Sequence, residues 1–197
     1  PVWQTYDATA NVRDVAFGDL NGDGFVDLVA ASHSGVNRIY SNSHDGTFVE
    51  VWRSFWSEDT QSVSLTDVDS DGDLDVSFAS SGSYGTIIVL RNDGSYHFSI
   101  MWRYGPKSNC GSGVCYSRDA NISTWDDTNS DGVPELLVGG DTVGYWEYPQ
   151  TTVYRTMQGI GETSFGTRPS VVIDIPGSAS APEGGVGRIT DQNPIEI

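Results

Sequence analysis

Asp19, Asn21, Asp23 and Asp27 lie in the stretch Asp19-Leu20-Asn21-Gly22-Asp23-Gly24-Phe25-Val26-Asp27. Oxygen donors fall at its first, third and fifth positions, a glycine at the sixth and a closing carboxylate at the ninth. The backbone carbonyl of Phe25 adds a donor at the seventh. Such a set suits calcium, a hard cation that takes roughly six to eight oxygens at about 2.3–2.6 Å. Gly24 permits the sharp turn that a side chain would obstruct. The pattern returns as Asp67, Asp69, Asp71, Asp73 and Asp75, again with the seventh residue, Asp73, offering its carbonyl. A third copy runs through Asp127, Asn129, Asp131, Val133 and Glu135; it closes on Glu instead of Asp and departs furthest from the pattern. Acidic and glycine-rich clusters also make ordinary turns, but solvated turns have no reason to repeat one ligand spacing. The sequence therefore predicts about three bound calcium ions.

The elements that carry these loops read as strands. Val15 and Phe17 precede the first loop, and Val26, Leu28 and Ala30 follow it. Val63 and Leu65 precede the second, with Leu74, Val76 and Phe78 after it; Trp125 precedes the third, with Leu136 and Val138 after it. Alternation with period two, rich in β-branched and aromatic residues, is strand patterning. An EF-hand needs flanking helices and a Glu at the twelfth position, where this chain has Ala30 and Phe78. Dockerin modules, which pair similar loops with helices, are disfavoured for the same reason.

The loops belong to a longer repeat. Val2-Trp3-Gln4-Thr5, Val51-Trp52-Arg53-Ser54, Met101-Trp102-Arg103-Tyr104 and Val153-Tyr154-Arg155-Thr156 are copies of one short strand, spaced by 49, 50 and 52 residues. Another strand recurs as Arg38-Ile39-Tyr40-Ser41-Asn42, Ile88-Val89-Leu90-Arg91-Asn92 and Tyr145-Trp146-Glu147-Tyr148. Asp45-Gly46 and Asp93-Gly94 mark hairpin turns. A unit of about 50 residues with four strands is the size of a β-propeller blade. Here the chain resembles the integrin-α-like FG-GAP repeats, also called VCBS repeats. The likeness rests on Phe17-Gly18-Asp19-Leu20-Asn21-Gly22-Asp23-Gly24-Phe25-Val26-Asp27-Leu28-Val29-Ala30-Ala31 and its two partners. It implies an all-β fold of propeller blades in which the calcium loop joins the first two strands of each blade. The Gly-Ala-Pro that trails the loop in that family is degenerate here, as Ala30-Ala31-Ser32, Ala79-Ser80-Ser81 and Gly139-Gly140-Asp141.

Three blades are expected, at about 1–50, 51–100 and 101–157. The phase is that of a chain opening on the strand that ends a blade. Segment 158–197 is rich in Gly, Pro and Ser and holds one good strand candidate, Ser170-Val171-Val172-Ile173-Asp174-Ile175. That strand would start a fourth blade, join a neighbouring sheet or lie in a tail. Three blades cannot close a ring, so the ring is incomplete in one chain. The open arc is expected to bare apolar residues including Val15, Phe17, Val63 and Leu65, and either a homo-oligomer or further blades of a longer chain would cover them.

The chain has 197 residues and a formal net charge of −17, with Lys107 its single lysine. Such acidity repels nucleic acid, and part of it is accounted for as calcium ligands. No apolar run reaches the ~18 residues of a membrane span. Pro1 in place of Met predicts a removed leader or a piece of a longer chain. Cys110 and Cys115, in the Gly/Ser-rich insertion 105–118, are expected to form a local disulfide in an extracellular setting. Asn121-Ile122-Ser123 is an N-glycosylation sequon aligned with Arg13 and Gln61, placed just before the innermost strand.

Function follows less directly, because one fold hosts many activities. Propellers of the resembled family serve as adhesion modules, as lectins and as scaffolds of some polysaccharide lyases. The first reading is a secreted or cell-surface, non-catalytic module that recognises a glycan or a protein, with Trp56, Tyr84, Tyr104 and Tyr116 as candidate stacking residues. The alternative is a structural subunit of an extracellular oligomer or filament built by strand pairing between chains. A lyase scaffold is the third reading; the three His, His33, His44 and His97, sit in no recognisable catalytic motif.

Overall fold

The computed structural model describes residues 3–5, 11–57, 59–81, 86–104, 117–127, 130, 132–143, 150–154, 156–159, 162–165 and 171–174, with side chains for most of these as far as Val138. Among the described residues every regular element is a strand. β1 (Asn11–Gly18), β2 (Asp27–His33), β3 (Arg38–Asn42) and β4 (Phe48–Arg53) form one antiparallel sheet in chain order. β5 (Asp59–Thr66), β6 (Asp75–Ser81), β7 (Thr86–Arg91) and β8 (Ser99–Tyr104) form a second. The third holds β9 (Ser117–Asp126), β10 (Glu135–Val143), β11 (Gln150–Tyr154) and β14 (Val171–Asp174), while β12 (Thr156–Gly159) and β13 (Glu162–Phe165) make a separate hairpin. All ladders are antiparallel. These are propeller-type four-stranded sheets, and each candidate metal loop joins the first two strands of its sheet.

The sheets lie against one another through their first strands, β1 beside β5 and β5 beside β9. Two apolar layers fill the gaps. Leu20, Val29, Ala31 and Ile39 of the first sheet meet Val63, Val76, Phe78, Ile88 and Leu90 of the second. The opposite face of the second sheet sends Val68, Ala79, Ile87 and Val89 against Leu136 and Val138 of the third. Alternate residues of β7 thus serve alternate layers, as the two-residue period of a strand requires. The middle sheet, covered on both faces, has the most continuous buried runs. At Gly18 the sheets approach closely; a Cβ there would stand 2.7 Å from Leu74 Cδ1 and 2.8 Å from Leu65 Cδ1.

Polar stitches join the inner strands. The N–H of Val63 donates to Asp14 Oδ2 at 3.0 Å, and the N–H of Ser123 donates to Ser62 Oγ at 2.9 Å. Both acceptors follow a bulge. The ladder skips from Val12 to Asp14, from Thr60 to Ser62 and, in the third sheet, from Ala120 to Ile122. Arg13, Gln61 and the sequon residue Asn121 are therefore the unpaired bulge residues of the three inner strands. They lie within those strands, not before them as the sequence alignment suggested. A bulge leaves one residue out of the ladder and re-aims its neighbours, which frees the next side chain to reach the adjoining sheet.

Several expectations change. Residues 3–5 are not a strand; Trp3 instead donates its indole N–H to the carbonyl of Phe48 at 3.0 Å and packs edge-on to Tyr40. Val63 and Leu65 are covered by the first sheet rather than bared. Val15 and Phe17 do stay exposed, at 46% and 58%, on the face of β1 opposite to Ala16. In the third sheet the Val153-Tyr154 segment takes the third place, as β11, and β14 from the C-terminal segment takes the fourth. Residues 145–148, expected in that third place, lie outside the described residues. Val171–Asp174 thus joins a neighbouring sheet, while the β12–β13 hairpin lies where the strand pattern had faded.

Candidate metal centres

Each loop begins where the first strand of a sheet runs out, and in the first two loops the second residue plugs the core. Leu20 belongs to the first apolar layer and Val68 to the second. Anchoring that residue inward leaves the first, third and fifth positions at the loop mouth. The first carboxylate then organises the turn. Asp19 Oδ2 accepts the N–H of Gly24 at 2.8 Å, Asp67 Oδ2 that of Gly72 at 3.0 Å and Asp127 Oδ2 that of Gly132 at 2.8 Å. The same bond in three loops requires a left-handed sixth residue, with φ of 86°, 97° and 85°. That is the role expected of glycine here.

In the second loop, oxygens of Asp67, Asp69 and Asp71 lie within 4.8 Å of one another. Oxygens bound to one calcium ion at 2.3–2.6 Å can be at most about 5.2 Å apart, so this separation is compatible with a shared ion. Asp69 adds a second sign: its Oδ1 is buried and has no hydrogen-bond partner. Burial, followed by the charge of Asp71, pushes the Asp69 carboxyl up, and Arg91 offsets part of that. The donor set and the unpartnered oxygen both fit a hard divalent cation. In the first loop Asn21 supplies the third-position oxygen and donates its amide to Asp23 Oδ2 at 3.0 Å. Asp23 is held below the ordinary carboxylate range by that bond first, then by the N–H of Phe25 and by His44. His44 Nε2 lies 3.0 Å from Asp23 Oδ2, and its ring stacks on Phe25 at 3.8 Å between centroids.

The closing acids lie deeper than ligand spacing alone suggested. Asp27, Asp75 and Glu135 are fully buried or nearly so. Asp27 Oδ2 accepts the N–H of Leu20 at 3.0 Å and Oδ1 that of Asn42 at 2.9 Å. Asp75 repeats this with Val68 at 2.9 Å and Asn92 at 2.8 Å. Burial pushes the Asp75 carboxyl up to about 7, against those two N–H donors. The ninth residue therefore clasps the loop to the end of the third strand. Asn42 and Asn92 complete the clasp, their amides donating to the carbonyls of Val26 at 3.0 Å and Leu74 at 3.1 Å. Asn92 also reaches across to the carbonyl of Leu20 at 2.7 Å.

Tyr96 is a second cross-sheet link that the sequence reading missed. Its hydroxyl lies 3.0 Å from Asp27 Oδ2 and 2.8 Å from Ser41 Oγ. Tyr96 has φ of 61°, at the turn position where the first sheet has Gly46 with φ of 88°. A tyrosine in the left-handed region is strained by about 1–3 kcal/mol, and its bond to the buried carboxylate keeps it there. This geometry pairs His44 with Gly94 and Gly46 with Tyr96, two residues out of step with the Asp-Gly matching read from sequence. The signals available were the Asn that ends β3 and directly follows β7, and the 50-residue spacing itself.

Among the other predicted site residues, Trp56 packs against Trp52 and Phe55 and joins the first apolar layer, so it is not the free loop aromatic expected of it. Its neighbour Phe55 is 85% exposed. Tyr104 ends β8, where only the backbone is described. Tyr84, Tyr116, Cys110, Cys115, Asn129 and Asp131 lie outside the described residues. Phe25, Asp73 and Val133 occupy the seventh positions.

The profile of the FG-GAP-like repeat matches residues 19–76 and 67–138, each match running from one metal loop into or beyond the next. Together the two matches cover more than half of the chain. The chain belongs to the FG-GAP-like repeat family. No curated protein matches it. The family assignment agrees with sheets that each carry one acidic loop between their first and second strands.

Proposed function

We propose that this FG-GAP-repeat chain is a calcium-stabilised recognition module, non-catalytic and extracellular, that binds a glycan or a protein. The observation that carries the metal half is the gathering of Asp67, Asp69 and Asp71 within 4.8 Å, with one Asp69 oxygen buried and unpartnered. About three calcium ions are proposed, one per loop, with Asp19, Asn21 and Asp23 serving the first loop and Asp127, Asn129 and Asp131 the third. Asp27, Asp75 and Glu135 would hold each loop closed from behind. Recognition is supported by the packed stack of sheets and by the exposed Phe55 beside Trp56. The acidic surface disfavours nucleic acid as the partner. A glycan array probed in calcium and again in EDTA tests this reading. Binding that needs calcium is expected; a calcium-independent signal, or none against glycans and extracellular proteins alike, contradicts it.

A second reading, blade-to-blade assembly, is favoured by the outer face of the first sheet. Val15 and Phe17 are exposed there, while their counterparts Val63 and Leu65 in the second sheet are covered by the first. Trp3 meets Tyr40 and Phe48 much as Trp52 meets Phe98. That face is shaped for a further blade, supplied by another copy or by a longer chain. Light scattering of the isolated chain in calcium is expected to give an oligomer, and a stable monomer sinks the self-assembly version.

A further inference from the structure

The second loop carries acids at all five ligand positions, Asp67, Asp69, Asp71, Asp73 and Asp75, where the first loop has Asn21 at the third and Phe25 at the seventh. The extra charge is met by a guanidinium. Arg91, at the end of β7, places Nε 2.7 Å from Asp69 Oδ2 and a terminal nitrogen 3.4 Å from Asp71 Oδ2. In the first sheet the same strand position is Ser41, whose hydroxyl faces Tyr96 instead. Asp69 is 9% exposed, one oxygen taken by Arg91 and the other buried without a partner. Arg91 itself is half exposed, so it has room to leave.

We propose that Arg91 is a resident counter-cation of the second loop, competing with a divalent metal ion for Asp69 and Asp71 and lowering that loop's affinity. Two effects of the arginine oppose each other. It holds two ligands in place, which favours binding, and it puts a positive charge beside the position of a doubly charged ion, which disfavours it. A half-exposed ion pair is worth at most about 1 kcal/mol as a positioning device. The repulsion is doubled by the ion's charge and acts across a poorly solvated carboxylate, where the effective dielectric is below that of water. Repulsion therefore wins, and metal binding at this loop displaces the guanidinium towards solvent. The inference rests on the calcium reading of the loops.

Calorimetric titration of the whole chain with calcium separates the two ideas. Arg91→Ser, which installs the residue found in the first sheet, is expected to tighten one site about tenfold, the scale of one such charge interaction. Adding Asp71→Ala should abolish that gain, which assigns it to the second loop. Arg91→Gln, which is neutral but keeps more of the aliphatic stem than Ser, should show the same gain, so the result does not depend on how one variant folds. Arg91→Lys, which keeps the charge, should stay within about twofold of the parent if charge rather than fork geometry sets the affinity. Unchanged or weaker calcium binding in both neutral variants, with circular dichroism like that of the parent, overturns the counter-cation role and leaves the calcium reading intact. If no calcium binds to the parent or to any variant, the calcium reading falls and the inference falls with it.

Discussion

Replacing Tyr96 by Phe removes one oxygen and keeps the ring. The lost group bonds Asp27, a buried carboxylate of the neighbouring sheet, at 3.0 Å. Hydrogen bonds to charged groups contribute about 1.5–3 kcal/mol. Asp27 keeps the N–H donors of Leu20 and Asn42, so it is not orphaned, and the lower end applies. The expected loss is about 1.5 kcal/mol, or roughly 3–6 °C in melting temperature for a chain of this size. Burial pushes the Tyr96 phenol up to about 12, so it remains a donor and the loss should be constant between about pH 6 and 9. Urea unfolding followed by tryptophan fluorescence, at fixed calcium, measures it. In an Asp27→Asn background most of the effect should vanish, since contacting groups couple. A loss below about 0.3 kcal/mol, or the same loss in both backgrounds, would mean that the bond does not tie the two sheets together.

Two further outcomes follow from burial. In EDTA, Asp75 titrates near 7 in the folded chain against 3.8 unfolded, so its protonated form is the one folding favours. Its stabilising contribution is full below 3.8 and is lost as pH rises through about 7, with a slope up to about 1.4 kcal/mol per pH unit. Comparing urea midpoints at pH 5 and 8 should show Asp75→Asn losing less than the parent as pH rises, and parallel behaviour refutes the assignment. Phe78, buried and stacked on Trp52 at 6.3 Å, should cost about 3–5 kcal/mol as Phe78→Ala. A loss below about 1 kcal/mol in the same assay means that the layer between the first two sheets is not the core.

The repeat, the strand alternation and the ligand spacing were legible because each is a pattern along the chain. What the sequence hid was partnership. Val15 and Val63 carry the same alternation, yet one is exposed and the other buried, because a sheet lies against one and not the other. Asp27 and Asp75 read as metal ligands by spacing, and their burial behind Asn42 and Asn92 depends on the third strand folding back. The Asp-Gly pairs at 45–46 and 93–94 misled by two residues, since Tyr96 adopts a glycine-like conformation for a bond to another sheet. The inner-strand bulges were likewise silent, because a bulge residue has no side-chain signature of its own. In the third sheet Gln150–Tyr154, with β-branched Thr151, Thr152 and Val153, takes the place that the 50-residue spacing assigned to 145–148.

The central claim is that the loops hold calcium, and native mass spectrometry of the chain in calcium tests it most directly. The parent should retain about three calcium ions at millimolar calcium, within the affinity range of extracellular calcium modules. Asp23→Ala and Asp71→Ala should each retain one fewer, and EDTA should strip them all. A folded chain that keeps no calcium above the level of an unrelated acidic protein, with both variants indistinguishable from the parent, contradicts the account.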